Sequence, residues 1–362
     1  MRRSNAPTLR DVADAANVSV MMASVVLNGA QSSTRVSAST RDAILEVAAR
    51  LNYRRNAVAR GLSRQRMDTI GVTACVGGDE VNFYFLAVLN GILEEAVRHG
   101  QNTTIFSLSH WLNEAHRLLD FCDGRVDGMI LIAPDIQSPE KLSHHTPFVT
   151  IHGNESEPTT FNLGVDNEGA AYGITRYLVD QGHRRIVHFS GSPEHLEARQ
   201  RIDGFRRALR EAAIPCAESS IVHGTFSVAS GRRQMAQLLE RAQPPPTAIF
   251  CGSDAIAAGG MEVLAGRGLH VPQDISIAGF DDSVMAGLTR PPLTTVRQPF
   301  REMGRCAVEK LLALIEGQES GPSGPAAEPR PEEEPAACLH TRVFPTEMVI
   351  RETVGPPRAE AA

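Results

Sequence analysis

After Asp68 the chain alternates short β-branched runs with longer amphipathic stretches, a pattern that few folds accept. TIGVTAC, NTTIFSL, GMILIAP, FVTIHG, NLGVD, RIVHFSG, SIVHG, TAIFCG and SIAGFDD read as strands bounded by Gly, Pro or Asp. Stretches such as FYFLAVLNGILEEAVRHG, WLNEAHRLLDFCDG, ARQRIDGFRRALREAAI and FREMGRCAVEKLLALIEG read as helices. This alternation implies right-handed βαβ units and parallel sheets covered on both faces. About nine to eleven strands are too many for one comfortable sheet. The region is therefore expected to form two doubly wound lobes, with a crevice at the carboxyl ends of the strands.

The first 66 residues follow other rules. They hold 11 Arg, no Lys and four acids, a net of +7, whereas residues 67–362 carry 25 basic and 38 acidic residues, a net of −13. The overall −6 conceals a basic module joined to an acidic one. From Thr8 the sequence reads as two short helices around a turn at Asn17-Val18, with Thr8 capping the first and Ser19 the second. Ser37 caps a third, whose apolar stripe is Ile44, Val47, Ala48 and Leu51. Three small helices with Arg on their outer surfaces suit helix-turn-helix reading of the major groove. YRRNAVARGLSRQR, residues 53–66, then packs five arginines around Ala57, Val58, Ala59 and Leu62.

Other classes are excluded. No run approaches the roughly 18 apolar residues of a membrane helix, and Met1-Arg-Arg-Ser-Asn-Ala-Pro is not the apolar core of a signal peptide, so the protein is expected in the cytoplasm, nucleoid-associated when on DNA. Six scattered cysteines (75, 122, 216, 251, 306, 338) form no CxxC pair and read as reduced, mostly buried thiols. No GxSxG, Walker loop, HExxH or GxGxxG-then-acid arrangement is present, so neither an enzyme nor a metal or cofactor is expected.

TLRDVADAANVS, SVVLNG, VSASTRDAILEVAARLNY and NAVARGL resemble the lactose-repressor/galactose-repressor (LacI/GalR) family of bacterial transcription regulators. The resemblance implies a helix-turn-helix domain over 1–53 and a hinge helix over 54–66. It implies base-facing roles for Val20, Met21 and Val25, phosphate-side roles for Ser24 and Asn28, and further DNA contacts from Thr8, Ser19, Arg35, Asn56 and Ala59. Leu62 matches the Leu that the family wedges into the minor groove. Where the family often has Arg or His, this chain has Val25. Three apolar reading positions can touch thymine methyl groups but cannot form bidentate bonds to guanine or adenine, which shifts specificity toward half-site spacing and DNA shape.

The resemblance continues through VDGMILIAP, RQRIDGFRRAL, PTAIFCGSDAIAAGGMEVL, VPQDISIAGFDD and PPLTTVRQPFREMG. It implies an all-α N-terminal domain followed by a periplasmic-binding-protein-like core over 67–353, with chain crossings near 162–165, 294–298 and before Arg342. That gives lobe 1 about 67–162 with 298–318, and lobe 2 about 163–295 with 338–353. Carried over residue by residue, effector contacts fall on Arg201, Asp281, Ser253, Asp254, Phe226, Phe83, Tyr84 and His152, the last at a position where Asp is more usual. Arg201→Ala is expected to abolish the effector response without unfolding the protein. Residues 318–337, rich in Pro, Gly, Ala and Glu, read as a disordered insertion, and 354–362 as a tail without the Leu heptads of a tetramer.

The expectation is a homodimeric repressor that binds double-stranded operator DNA under control of a sugar-like small molecule in the interlobe cleft. The alternative is a sugar-binding or sugar-modifying protein whose core acts without DNA.

Overall fold

The computed structural model describes residues 7–28, 36–54, 61, 66–75, 82–109, 111–134, 146–154, 160–241, 244–317 and 341–358. The chain divides into two compact units, Met1–Asp68 and Thr69–Ala362.

In the first unit, α1 (Leu9–Ala15), α2 (Val20–Asn28) and α3 (Ala38–Arg50) enclose a small core of Val12, Val26, Leu27, Ile44, Val47 and Ala48. Thr8 and Asp11 form a reciprocal capping box: the Thr8 hydroxyl accepts the Asp11 amide at 3.3 Å, and Asp11 Oδ2 accepts the Thr8 amide at 2.7 Å. Those bonds hold the exposed Asp11 carboxyl below its ordinary value. The turn into α2 passes through Asn17 at φ 54°, a left-handed conformation that Asn tolerates better than most residues. Ser19 Oγ then accepts the Met22 amide at 3.1 Å.

The second unit holds two parallel sheets. The first has the order β11-β5-β4-β3-β1-β2, built from β1 (Thr69–Cys75), β2 (Asn102–Leu108), β3 (Gly128–Ile132), β4 (Phe148–Ile151), β5 (Phe161–Val165) and β11 (Thr341–Phe344). On one face, α4 (Phe83–Arg98) and α12 (Phe300–Ile315) cover Ile70, Val72, Ile130, Ile132, Val149 and Ile151. The two helices meet backbone to backbone, since a Cβ on Gly91 would strike Arg301 and one on Gly304 would strike Val88. The second sheet has the order β7-β6-β8-β9, built from β6 (Ile186–Phe189), β7 (Ile221–Val222), β8 (Ala248–Cys251) and β9 (Ser276–Ala278). Its strands alternate between two cores. Ile186, Ala248 and Phe250 face α7 (Asn167–Asp180) and α8 (Leu196–Glu211), while Val187, Phe189, Ile249 and Cys251 face α9 (Val228–Arg241) and α10 (Asp254–Gly266).

β10 (Thr295–Arg297) and β12 (Glu347–Val349) pair antiparallel where the chain crosses between lobes. Asp282 fastens this crossing, accepting from Arg297 at 2.7 Å and Arg351 at 2.6 Å.

Three expectations need correction. β5 and β11 are paired members of the first sheet, Leu163 and Phe344 being buried in its core, so lobe 1 extends to Val165 and includes 341–344. The stretch WLNEAHRLLDFCDG is not one helix but α5 (Trp111–Glu114), a 3-10 turn and α6 (Leu118–Phe121). There the Glu114 carboxylate turns back to accept the Ser109 amide and Arg117. Of the five described cysteines only Cys251 and Cys306 are buried, and Cys75 is exposed. All five are free thiols. The 318–337 insertion lies outside the described residues.

Candidate functional sites: a helix-turn-helix face and an interlobe cleft

On the basic unit, the start of α2 presents large apolar side chains to solvent. Val20 is 41% and Met21 62% exposed, while Ala23, Val26 and Leu27 on the opposite face are buried. Val25 and Ser24 are half-buried beside them, and Asn28 Nδ2 lies 3.4 Å from Ser24 Oγ. Solvating a bare Met and Val at a helix N-terminus costs free energy that burial on a partner returns. Thr8 and Ser19 are exposed as caps. Arg35, Asn56, Ala59 and Leu62 lie outside the described residues.

In the second unit, the carboxyl ends of the strands gather Tyr84, His152, Arg201, Phe226 and Asp281. Arg201, on α8, is 4% exposed. Its Nε donates to Asn167 Oδ1 at 2.9 Å and its Nη1 to the Gly252 carbonyl at 2.5 Å. Its guanidinium lies 3.9 Å from the Phe280 ring centre and 5.3 Å from that of Phe226. Burial lowers the Arg201 pKa, and the carboxylates of Asp281 and Glu197 act against that. The fork is thus held by the Asn167 side chain, the Gly252 carbonyl and two aromatic rings, leaving the Nη2 edge for a ligand acceptor.

Across the cleft, His152 follows β4 at φ 53° and is 7% exposed. Its Nδ1 is 2.9 Å from Tyr84 Oη, and both rings lean on Phe300. Burial, reinforced by the Arg201 charge, pushes the imidazole down to about 3. Burial, with Glu197 and Asp281 nearby, pushes the Tyr84 phenol up. The pair is therefore uncharged at neutral pH, and His152 Nε2 is buried without a hydrogen-bond partner.

Asp281, at φ 125°, takes a bond from Gln298 Nε2 at 2.8 Å. Desolvation raises its carboxyl to about 6, against the opposing pull of Arg201 and Gln298. Gln298 is 5% exposed, and its Oε1 is a second buried polar atom here with no partner.

The other expected contacts sit differently. Ser253 caps α10, accepting the Ile256 amide at 3.2 Å. Asp254 is fully buried, its oxygens taken by the Thr295 hydroxyl at 2.6 Å and the Ser283 amide and hydroxyl at 2.7 and 3.0 Å. Burial, then the charge of Asp281, drives its pKa well up. Phe83 is half-buried in the first turn of α4 and is not among the rings that touch this cluster. The sequence reading missed Asn167, Glu197, Phe280 and Gln298. Only Phe280 and Gln298 carried a local signal, standing in SIAGFDD and TTVRQPF at expected strand and crossing ends.

Asn154 joins the lobes at the mouth. From lobe 1 its Nδ2 donates to the Glu194 carbonyl at 3.0 Å, and its Oδ1 accepts the Leu196 amide at 2.5 Å.

Comparison with known proteins matches residues 8–56 to the bacterial regulatory proteins of the lacI family and residues 175–354 to the periplasmic binding protein-like domain. Catabolite control protein A of Priestia megaterium is 35% identical over 313 residues, 85% of this chain and 92% of that protein. The repressor PurR of Vibrio parahaemolyticus is 33% identical over 86% of this chain and 93% of its own length. Among solved structures, the lac repressor dimer bound to operator and the anti-inducer ONPF superposes with a TM-score of 0.79 at 27% identity, covering 96% of this chain and 98% of that one. A complex of the regulator CelR with cellobiose gives 0.69 at 26% identity, covering 96% and 100%. With a basic helix-turn-helix unit ahead of a two-lobed core, and relatives of this identity along nearly the whole chain, the protein belongs to the lacI family of bacterial regulatory proteins.

Proposed function

We propose that the protein is a homodimeric cytoplasmic repressor that binds operator DNA and answers to an uncharged, hydroxyl-rich effector, a sugar or sugar derivative, in the interlobe cleft. The observation that carries this reading is the pair of buried, unpartnered polar atoms, His152 Nε2 and Gln298 Oε1, in the cleft that holds the Arg201 fork. Buried polar atoms without partners cost about 1–3 kcal/mol each. A polyol repays that cost, since each hydroxyl donates to one centre and accepts from another. The Arg201 charge is already met by Asp281 and Glu197, and His152 adds none, so the cleft has no surplus charge for an anion.

Dimerisation fits the outer face of α4, where Leu86, Leu93 and Val97 are 42%, 39% and 74% exposed. Two reading units would then meet two half-sites. Effector closure of the cleft would shift the population of core conformations and so the spacing of the readers. The PurR relative is named as a transcriptional repressor, which supports a regulator over an enzyme. The test is a thermal-shift screen of sugars, sugar acids and nucleosides, followed by calorimetry on wild type and Gln298→Leu. A hit that binds both proteins equally would remove the cleft assignment.

A further inference from the structure

A second cavity of about 630 Å³ runs along the outer edge of β7, from the amino-terminal ends of the lobe 2 strands to His223. Its walls include Arg184, Arg185, Arg241, Ser219 and Ser220, and among the described residues none that lines it is acidic. Within a core of net −13, an acid-free hollow with three arginines is a local reversal of charge. The neighbouring Glu218 is turned away, paired with Arg206 at 2.9 Å.

Two of the arginines are fixed by the backbone. Arg184 Nη1 donates to the Val179 and His183 carbonyls, both at 3.0 Å, and Arg185 Nε donates to the Pro245 carbonyl at 3.0 Å. The Arg184 guanidinium, held through Nη1, still presents Nε and Nη2, and planar forks beside hydroxyls match the oxygens of a phosphate. The volume lies within the range of small-molecule sites.

We propose that this cavity is a second ligand site, for a small phosphorylated anion, separate from the interlobe cleft. A hydrogen-bonded path leads from it toward that cleft. His223 Nδ1 and Ser190 Oγ are 2.9 Å apart, and Ser190 Oγ donates to the Gly191 carbonyl at 2.9 Å. Phe226 lies against the bare face of Gly191 and faces Arg201. Gln234, on the same helix as Arg241, donates to both the Ser190 and Val222 carbonyls. An anion bound here would stiffen the strand ends on which Phe226 rests.

The test is calorimetry of the full chain with inorganic pyrophosphate at constant ionic strength, with hydrogen exchange read at Ser190, whose amide donates to the Val222 carbonyl. The expected result is saturable binding at one site per chain, weakened at least about tenfold in Arg241→Glu and in Ser219→Ala/Ser220→Ala. Arg41→Gln, on the basic unit, should leave it unchanged, and exchange at Ser190 should slow only where binding persists. Absence of binding up to about 10 mM would overturn the site. So would binding lost in Arg41→Gln but kept in Arg241→Glu. Neither outcome bears on the interlobe effector, which the probe does not involve.

Discussion

Asn154 of lobe 1 grips the backbone of Leu196 in lobe 2, accepting its amide at 2.5 Å while donating to the Glu194 carbonyl two residues earlier. The bond ties the loop after β4 to the start of α8, the helix that carries Arg201. Two such bonds are worth about 1–3 kcal/mol together. Asn154→Ala should therefore expose the Leu196 amide to exchange and weaken effector binding by about 5- to 100-fold. Asn154→Asp, which keeps the acceptor and loses the donor, should fall between. Unchanged exchange at Leu196 in the alanine variant would show that the lobes are held together elsewhere.

Arg201→Ala should do more than silence the effector response. The fold is expected to survive, at a cost in stability set by what the side chain holds. Its removal strands Asn167 Oδ1 and the Gly252 carbonyl in a buried site, at about 1–3 kcal/mol each. A fall in Tm of several degrees is expected, alongside loss of effector binding by calorimetry. Arg201→Lys, which keeps the charge without the fork, should lose less stability but still bind poorly.

The pH dependence of stability contains opposing contributions. His152 and His188, both pushed down to about 3 by burial, bind fewer protons folded than unfolded. Their contribution is complete above pH 6.5 and is lost as pH falls from there toward 3. Asp281, raised to about 6, has the reverse sign: its contribution is present below its unfolded value and is lost as pH rises through 6. Thermal melts between pH 7 and 4 should show a fall on acidification that is steeper in Asp281→Asn than in wild type. A shallower fall in that variant would contradict the assigned shifts.

DNA binding should depend strongly on salt and weakly on base hydrogen bonding. A reader of net +7, doubled in a dimer, should lose at least tenfold in affinity between 50 and 200 mM salt, measured by fluorescence anisotropy. Val25→Arg should change the half-site recovered by binding selection, by adding a fork that reads guanine. An unchanged half-site would reject Val25 as a base-facing position.

What the sequence made legible was whatever depends on local pattern. Thr8, Ser19 and Ser37 announce helix starts because capping is decided within three residues, and the strand runs announce themselves because both faces of a parallel sheet are buried. The lobe boundary was misplaced because β11 finds β5 across 176 or more residues, and nothing in TRVF specifies that partner. The cleft was legible only as far as its motifs reached. Arg201 and Asp281 stand in recognisable surroundings, but the Asn167 bond spans 34 positions and the Gln298 bond 17. The bonds of Asp254 were hidden for the same reason: Ser283 and Thr295, which occupy its oxygens, are distant in the chain.

The most direct test of the central claim is operator binding by the full chain, followed by anisotropy on a selected duplex, with and without the compound that most stabilises the core. The account predicts at least a tenfold change in DNA affinity in wild type and none in Arg201→Lys. A compound that binds the cleft by calorimetry yet leaves DNA affinity unchanged would contradict it.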